Sequence, residues 1–211
     1  MKIFLRHHWR WLVSAAVGLS LCIAVVLWIR SWSTPAGARL LPRNALELRD
    51  GVLYARGEAQ PFQGQIVEHY PDHSRKVALE INDGRLNGHS LGWHDNGQVE
   101  VDEEFVQGIS DGTRTRWYPN GQEKSRAQIE KGVLTGSYLE WHENGQKAVE
   151  MTLRDGNPDG LVRAWHPSGL PKSRSEFRDG KMVDREFFSD LQASINQPTP
   201  ARTETAEQVA E

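Results

Sequence analysis

Apolar residues follow two patterns along this chain. Residues 12–28, LVSAAVGLSLCIAVVLW, form one uncharged and almost wholly apolar run. At about 1.5 Å of rise per helical residue, such a run nearly crosses a hydrocarbon core of roughly 30 Å. From about residue 50 onward the apolar residues come singly or in pairs among charged ones, in segments such as HSLGWH and VEVDEEF. Short β-branched and aromatic stretches of this kind predict strands with one solvated face.

The second pattern is periodic. Aligned on tryptophan, GHSLGWHDNGQ (88–98), GTRTRWYPNGQ (112–122), GSYLEWHENGQ (136–146) and GLVRAWHPSGL (160–170) repeat every 24 residues without insertion. Trp93, Trp117, Trp141 and Trp165 hold one column, and Gly88, Gly112, Gly136 and Gly160 another. Gly84, Gly108, Gly132, Gly156 and Gly180 stand four residues earlier, and Ile81, Phe105, Ile129, Leu153 and Phe177 form an apolar column three residues before those. One period upstream lie Gly64 and HYPDHS (69–74), where His69 replaces the tryptophan and His73 the turn glycine, a degenerate first unit of the kind that caps an array.

The glycines predict the turns. Asn96-Gly97, Asn120-Gly121 and Asn144-Gly145, with the weaker Ser168-Gly169, predict hairpins through type I′ turns, whose two central residues both need positive φ. The linker pairs Gly84/Gly88, Gly108/Gly112, Gly132/Gly136 and Gly156/Gly160 predict a tight turn from each hairpin to the next. An isolated hairpin is marginal in water, so about five units must stack edge to edge. The expected fold is all-β, an elongated antiparallel sheet of 24-residue hairpins preceded by one N-terminal transmembrane helix. Bulges at the glycines leave open whether the tryptophan and Ile/Phe ladders share a face.

The domain plan follows. Residues 1–11 are a basic N-terminal segment, 12–30 a transmembrane signal-anchor, 31–49 a Ser/Pro/Gly/Ala/Arg linker and 50–184 the repeat domain. Residues 185–211 hold a disordered Pro/Thr/Glu-rich tail, with a short capping helix around 184–194. Trp9, Trp11, Trp28 and Trp32 flank the apolar run, as interfacial belts do. A cleaved signal peptide is the competing reading, opposed by the length of the run and by its Trp-Ile-Arg ending. Basic residues lie on both flanks, with a mild preference for a cytoplasmic N-terminus, which places the repeats in the periplasm beyond an inner membrane.

Charge and cysteine content then exclude classes. The first 30 residues carry Lys2, Arg6, Arg10 and Arg30 and no acid, leaving 21 basic against 28 acidic residues and a net charge of −7 on the rest. Such a surface does not seek nucleic acid by charge. Cys22 is the single cysteine, so no intramolecular disulfide forms.

Candidate chemistry is weighed against the repeat. Tyr70, His94, Tyr118, His142 and His166 form a column after the tryptophan. Equivalent positions lie roughly 10 Å apart, awkward for imidazoles that each need about 2.1 Å to one zinc. The column reads as a half-buried ladder and no cofactor or metal is expected. The His94-Asp95 pair becomes Tyr118-Pro119 one unit on, which argues against a catalytic pair, and Asp102, Glu103 and Glu104 read as a solvated strand face. No catalytic residue is expected.

The motif G-x-x-x-x-W-[HY]-x-N-G-Q with its x-G-x-x-x-G linker resembles the variant MORN repeat of bacterial proteins labelled YwqK-family antitoxins. DGVLYARGEAQPFQG (50–64) also resembles the opening of such proteins, so the resemblance covers about residues 50–184. It implies a β-hairpin scaffold used for binding another protein, with an antitoxin label and no catalytic residues to carry over. A membrane-anchored copy departs from a soluble toxin neutraliser. The alternative is a cell-wall glycan module that stacks sugar rings on an exposed tryptophan ladder.

Overall fold

The computed structural model describes residues 39–189. The expected basic segment, membrane helix and tail lie outside the described residues. No helix among the described residues is long and apolar enough to cross a membrane.

Residues 40–49, expected within the linker, are folded. They comprise β1 (Leu40–Leu41), a 3-10 turn at Arg43–Ala45 and β2 (Leu46–Arg49), which pairs with β3 (Val52–Ala55) as a separate hairpin. The alternation of Leu46, Glu47, Leu48 and Arg49 is a strand pattern that the linker reading passed over. The five expected hairpins follow. β4 (Gly64–His69) and β5 (Arg75–Asn82) form the first unit, β6 (Arg85–Trp93) and β7 (Val99–Val106) the second, and β8 (Ile109–Trp117) and β9 (Glu123–Glu130) the third. β10 (Val133–Trp141) and β11 (Lys147–Arg154) are the fourth. After β12 (Asn157–Pro158), a short strand on β11, β13 (Gly160–Trp165) and β14 (Pro171–Arg178) form the fifth. β15 (Lys181–Phe187) ends the order, so Asp184–Phe187, expected to begin a helix, continue the sheet.

All but β2 and β3 join one 13-stranded sheet in which successive strands are neighbours. Its pairing is antiparallel except at β1, which lies parallel to β4 through Leu40↔Gln65 and Leu41↔Ile66. The continuous sheet of stacked hairpins predicted from the period is thus the observed one.

The turn chemistry is distributed differently from the expectation. At Asn96-Gly97 the His94 N–H donates to the Gln98 carbonyl and the Gly97 N–H to the His94 carbonyl. Only Gly97 has positive φ, +82°. This is a three-residue loop, a type I turn followed by a left-handed glycine bulge, rather than a type I′ turn. The same hydrogen bonds close the loops at Tyr118, His142 and His166. Pro119 and Pro167 occupy the first central position of their turns, where a fixed φ near −65° suits type I and is incompatible with type I′. The true type I′ turns are at the other end of the strands. Asp83-Gly84, Gln107-Gly108, Lys131-Gly132, Asp155-Gly156 and Asp179-Gly180 have positive φ at both residues, and pairs such as Val106↔Ile109 close them as two-residue loops.

The glycine bulges settle the question of faces. Each tryptophan follows a register shift that sets it opposite a residue of the next strand: Trp93↔Val99, Trp117↔Glu123, Trp141↔Lys147 and Trp165↔Pro171. Side chains alternate along a strand, so Val99 shares its face with Phe105, Glu123 with Ile129, Lys147 with Leu153 and Pro171 with Phe177. The tryptophan and Ile/Phe ladders therefore run on one face.

Among the described residues that face has a compact core only at its N-terminal end. Leu46, Ala55, Phe62, Ile66 and Ile81 are buried together, with Leu41, Leu53, Leu79 and Leu86 packed against them. The β2–β3 hairpin fits there because it imitates a preceding repeat. Its turn, Asp50-Gly51, is also type I′ in φ, and Val52 lies against Gly84 as Ile109 lies against Gly132 and Val133 against Gly156. A side chain on Gly84 would meet Val52 and come within 2.7 Å of the Leu53 carbonyl, so this contact requires glycine.

Candidate functional site

The recurrent residues of WHDNGQ meet in space as rungs between units. Tyr70 Oη donates to the Trp93 carbonyl at 2.7 Å and Tyr118 Oη to the Trp141 carbonyl at 3.0 Å. His94 Nε2 reaches the Trp117 carbonyl at 3.0 Å and His142 Nε2 the Trp165 carbonyl at 2.9 Å. A carbonyl only accepts, so each of these imidazoles carries its proton on Nε2. Tyrosine and histidine exchange in this column because each is a planar side chain that ends in a donor at about the same reach. Burial raises the Tyr118 phenol above its ordinary range.

The asparagines have two partners each. Asn96 Oδ1 accepts from the Gln98 N–H of its own loop, while Nδ2 donates to the Pro119 carbonyl of the next loop at 2.6 Å. Asn120 and Asn144 repeat both contacts, reaching the Glu143 and Pro167 carbonyls. In the fifth unit Ser168 replaces asparagine, keeping a hydroxyl acceptor at 3.5 Å from the Leu170 N–H. The glutamines complete the rung. A side chain on Gly121, Gly145 or Gly169 would come within 3.2, 2.9 or 3.0 Å of the side-chain amide oxygen Oε1 of Gln98, Gln122 or Gln146.

The opposite ends of the strands are stitched as well. The N–H groups of Gly108, Gly132 and Gly156 donate to the carbonyls of Leu86, Ser110 and Leu134, one unit back, and Gly84 to Phe62 in the cap. Thus the linker glycines Gly84, Gly108, Gly132 and Gly156 carry rungs of their own. Gly88, Gly112, Gly136 and Gly160 sit at positive φ inside the strands, where Gly112 lies against the Glu104 side chain.

Trp93 is 7% exposed, and Trp117, Trp141 and Trp165 are half-buried. Lys147 Nζ lies 5.5 Å from the centre of the Trp165 ring. The four rings lie on one sheet face, and their main-chain carbonyls are engaged by the neighbouring unit.

The acidic trio was expected on one solvated face and is instead divided. Asp102 is 9% exposed, and its Oδ1 lies 2.8 Å from His89 Nδ1. Burial pushes its carboxyl above the ordinary aspartate range, opposed by the hydrogen bond and charge of His89 and reinforced by the charges of Glu104 and Glu80. Glu103 points to the other face. Desolvation would raise it, but hydrogen bonds from Arg114 and Ser110, both at 2.5 Å, hold it below the ordinary glutamate range. Glu104 packs against Gly112. A buried and a half-buried carboxylate on opposite faces do not converge on a common substrate position. Among the described residues no three His, Cys, Asp or Glu side chains group to hold a metal ion.

Two surfaces away from the tryptophan and His/Tyr columns stand out as candidates for binding. The first is a cleft of about 610 Å³ beside the cap, walled by Leu46, Leu53, Ile81 and Leu86 with Leu48 and Ile109 exposed at its mouth. The second is the C-terminal edge, where every residue of β15 is exposed. The cleft draws Ile81, Gly84 and Gly108 from the repeated columns and the edge draws none; the signal for the edge is the apolar content of KMVDREF in the last strand.

No curated protein matches this chain. The family model described as the MORN repeat variant matches residues 134–155, the hairpin of β10 and β11 through the Asp155 turn. The same columns recur in the other units, so the described region is a scaffold of β-hairpin repeats, one of which is similar to that family.

Proposed function

We propose that this protein is a non-catalytic scaffold that binds another protein at the bacterial envelope, held there by residues 12–30 as a single membrane-spanning anchor with the repeats in the periplasm. One observation carries the reading. The recurrent polar side chains, His94, His142, Tyr118 and the three turn asparagines, are engaged in bonds between units, and none is left aimed at a reacting group. Such residues build a platform, and recognition falls to the positions that vary from unit to unit. Within this reading the partner of an antitoxin-like scaffold is a toxin, and the chain acts by occupying it.

The test is site-specific photo-crosslinking in cells with the full-length chain, the probe placed in turn at Ile109, Val133 and Phe187, which are exposed. A discrete adduct with one other protein at one or more sites is the expected result. Adducts absent from all three sites, or formed only with the chain itself, would overturn it. A reporter fused at the C-terminus tests the orientation, with activity in the periplasm expected.

A further inference from the structure

The two ends of the sheet are finished differently. At the first strand, β1 adds in parallel to β4 and the β2–β3 hairpin packs against the face. At the last, β15 is hydrogen-bonded to β14 alone among the described residues, with Met182, Val183 and Phe187 at 51%, 52% and 65% exposure. Long exposed edges are ordinarily blunted by charge or by bulges. β15 has one bulge, at Val183, where the pairing shifts from Glu176↔Asp184 to Phe177↔Met182, and it is regular from Asp184 to Phe187.

The orientation of that regular stretch follows from its partner. The Phe188 N–H donates to the Lys172 carbonyl, so Glu186 and Asp184 turn their main-chain groups toward β14, and Arg185 and Phe187 turn theirs outward. Asp184 Oδ1 accepts from the outward Arg185 N–H at 2.8 Å, standing in for the carbonyl that a neighbouring strand would present. The side chains alternate in chemistry. Asp184 and Glu186 lie on one face, while Arg185 and Phe187, with the guanidinium 4.2 Å from the ring centre, lie on the other.

This pattern disfavours a second copy in every register but the one centred on Phe187, where no like charges meet and the dimer test below decides. A second copy pairing through a two-fold axis centred on Asp184, Arg185 or Glu186 sets that residue against its own copy, and like charges directly opposite destabilise a sheet. We propose that β15 is the docking edge of this scaffold, and that it adds one extended strand of a protein partner carrying Lys or Arg opposite Asp184 and Glu186 and an apolar residue opposite Phe187. The main-chain bonds of the added strand supply affinity and the alternating side chains supply selectivity. This rests on the binding role proposed above, and it assigns that role to one edge.

The full-length chain is titrated with a fluorescent peptide of about eight residues alternating lysine and valine, and with its glutamate counterpart. The lysine peptide is expected to bind and the glutamate peptide not. Asp184→Lys with Glu186→Lys should weaken the lysine peptide about ten-fold or more and admit the glutamate peptide. Arg185→Pro removes an outward donor while sparing the bonds to β14, and should weaken both peptides. The proposal is overturned if the lysine peptide does not bind, if its affinity is unchanged in both variants, or if Arg185→Pro instead dissociates a dimer of the chain. Crosslinking to a partner in cells that survives both variants would leave the scaffold reading standing and remove the edge from it. Loss of that crosslink in Arg185→Pro, with the protein still folded by circular dichroism, supports both.

Discussion

The first and fifth units share one backbone plan but differ in what surrounds them. Phe62 is 1% exposed in a cluster with Leu46, Ala55, Ile66 and Ile81, whereas all of β15 is exposed. Between them the strands are joined by continuous antiparallel pairing and by the rungs, and buried residues such as Ala127, Ile129, Ala148 and Leu153 form no comparable cluster. A linear array draws its stability from nearest-neighbour interfaces, so the contrast implies a gradient. The N-terminal end anchors the fold, and the C-terminal end opens first.

The strongest challenge to that gradient is Phe62→Ala. Emptying the most buried side chain among the described residues should cost about 3–5 kcal/mol, and hydrogen exchange should show protection lost across β2 to β5 while β10 and β11 keep theirs. Equal loss everywhere would mean that the array unfolds as one unit. A smaller effect is expected in the middle. His142→Phe keeps the ring and deletes the donor to the Trp165 carbonyl, costing about 1 kcal/mol. His142→Tyr restores a donor and should melt within about a degree or two of the native chain; equal melting of the two variants would refute the donor role.

Smaller still is the effect of pH on the second unit, read from thermal melts at pH 3 to 7. Asp102 binds its proton more tightly folded than unfolded, so its contribution is greatest at low pH and falls as pH rises from the ordinary value of 3.8 through its raised one. Asp102→Asn should remove that fall. Glu103 has the opposite sign, contributing above its ordinary value of 4.5 and losing that contribution as pH drops through its lowered one, so Glu103→Gln should lessen sensitivity to acid. Matching pH profiles in the two variants would contradict this assignment. At the open end Phe187→Ser should change stability by no more than about 0.5 kcal/mol, and a larger loss would show that β15 is packed and not free.

Much of this was legible in the residues. The 24-residue period yields the hairpins, their order and the continuous sheet, because glycine and asparagine mark turns by local sterics alone. The type of each turn was also readable, since Tyr118-Pro119-Asn120-Gly121 places proline where only a negative φ fits, but the Asn-Gly pair masked it. The role of the His/Tyr column was not legible. Its partner is a main-chain carbonyl one unit away, and a carbonyl has no letter in a sequence. Asp102 misled for a related reason: its burial depends on His89 of the preceding strand, and alternation along β7 alone shows only a row of acids.

The two sets of rungs also limit how such a chain can change in length. Each bond in the His/Tyr ladder joins residues 23 apart, and the glycine rungs at the opposite ends of the strands keep the same 24-residue step. One residue added to a loop would put the donors of that unit out of step with the carbonyls of the next on at least one side, whereas removing a whole unit such as 112–135 would bring His94 to the Trp141 carbonyl with both sides in phase. The molecule is thus built to be lengthened or shortened only in whole repeats, and its reach can be reset by duplication without any new contact being invented.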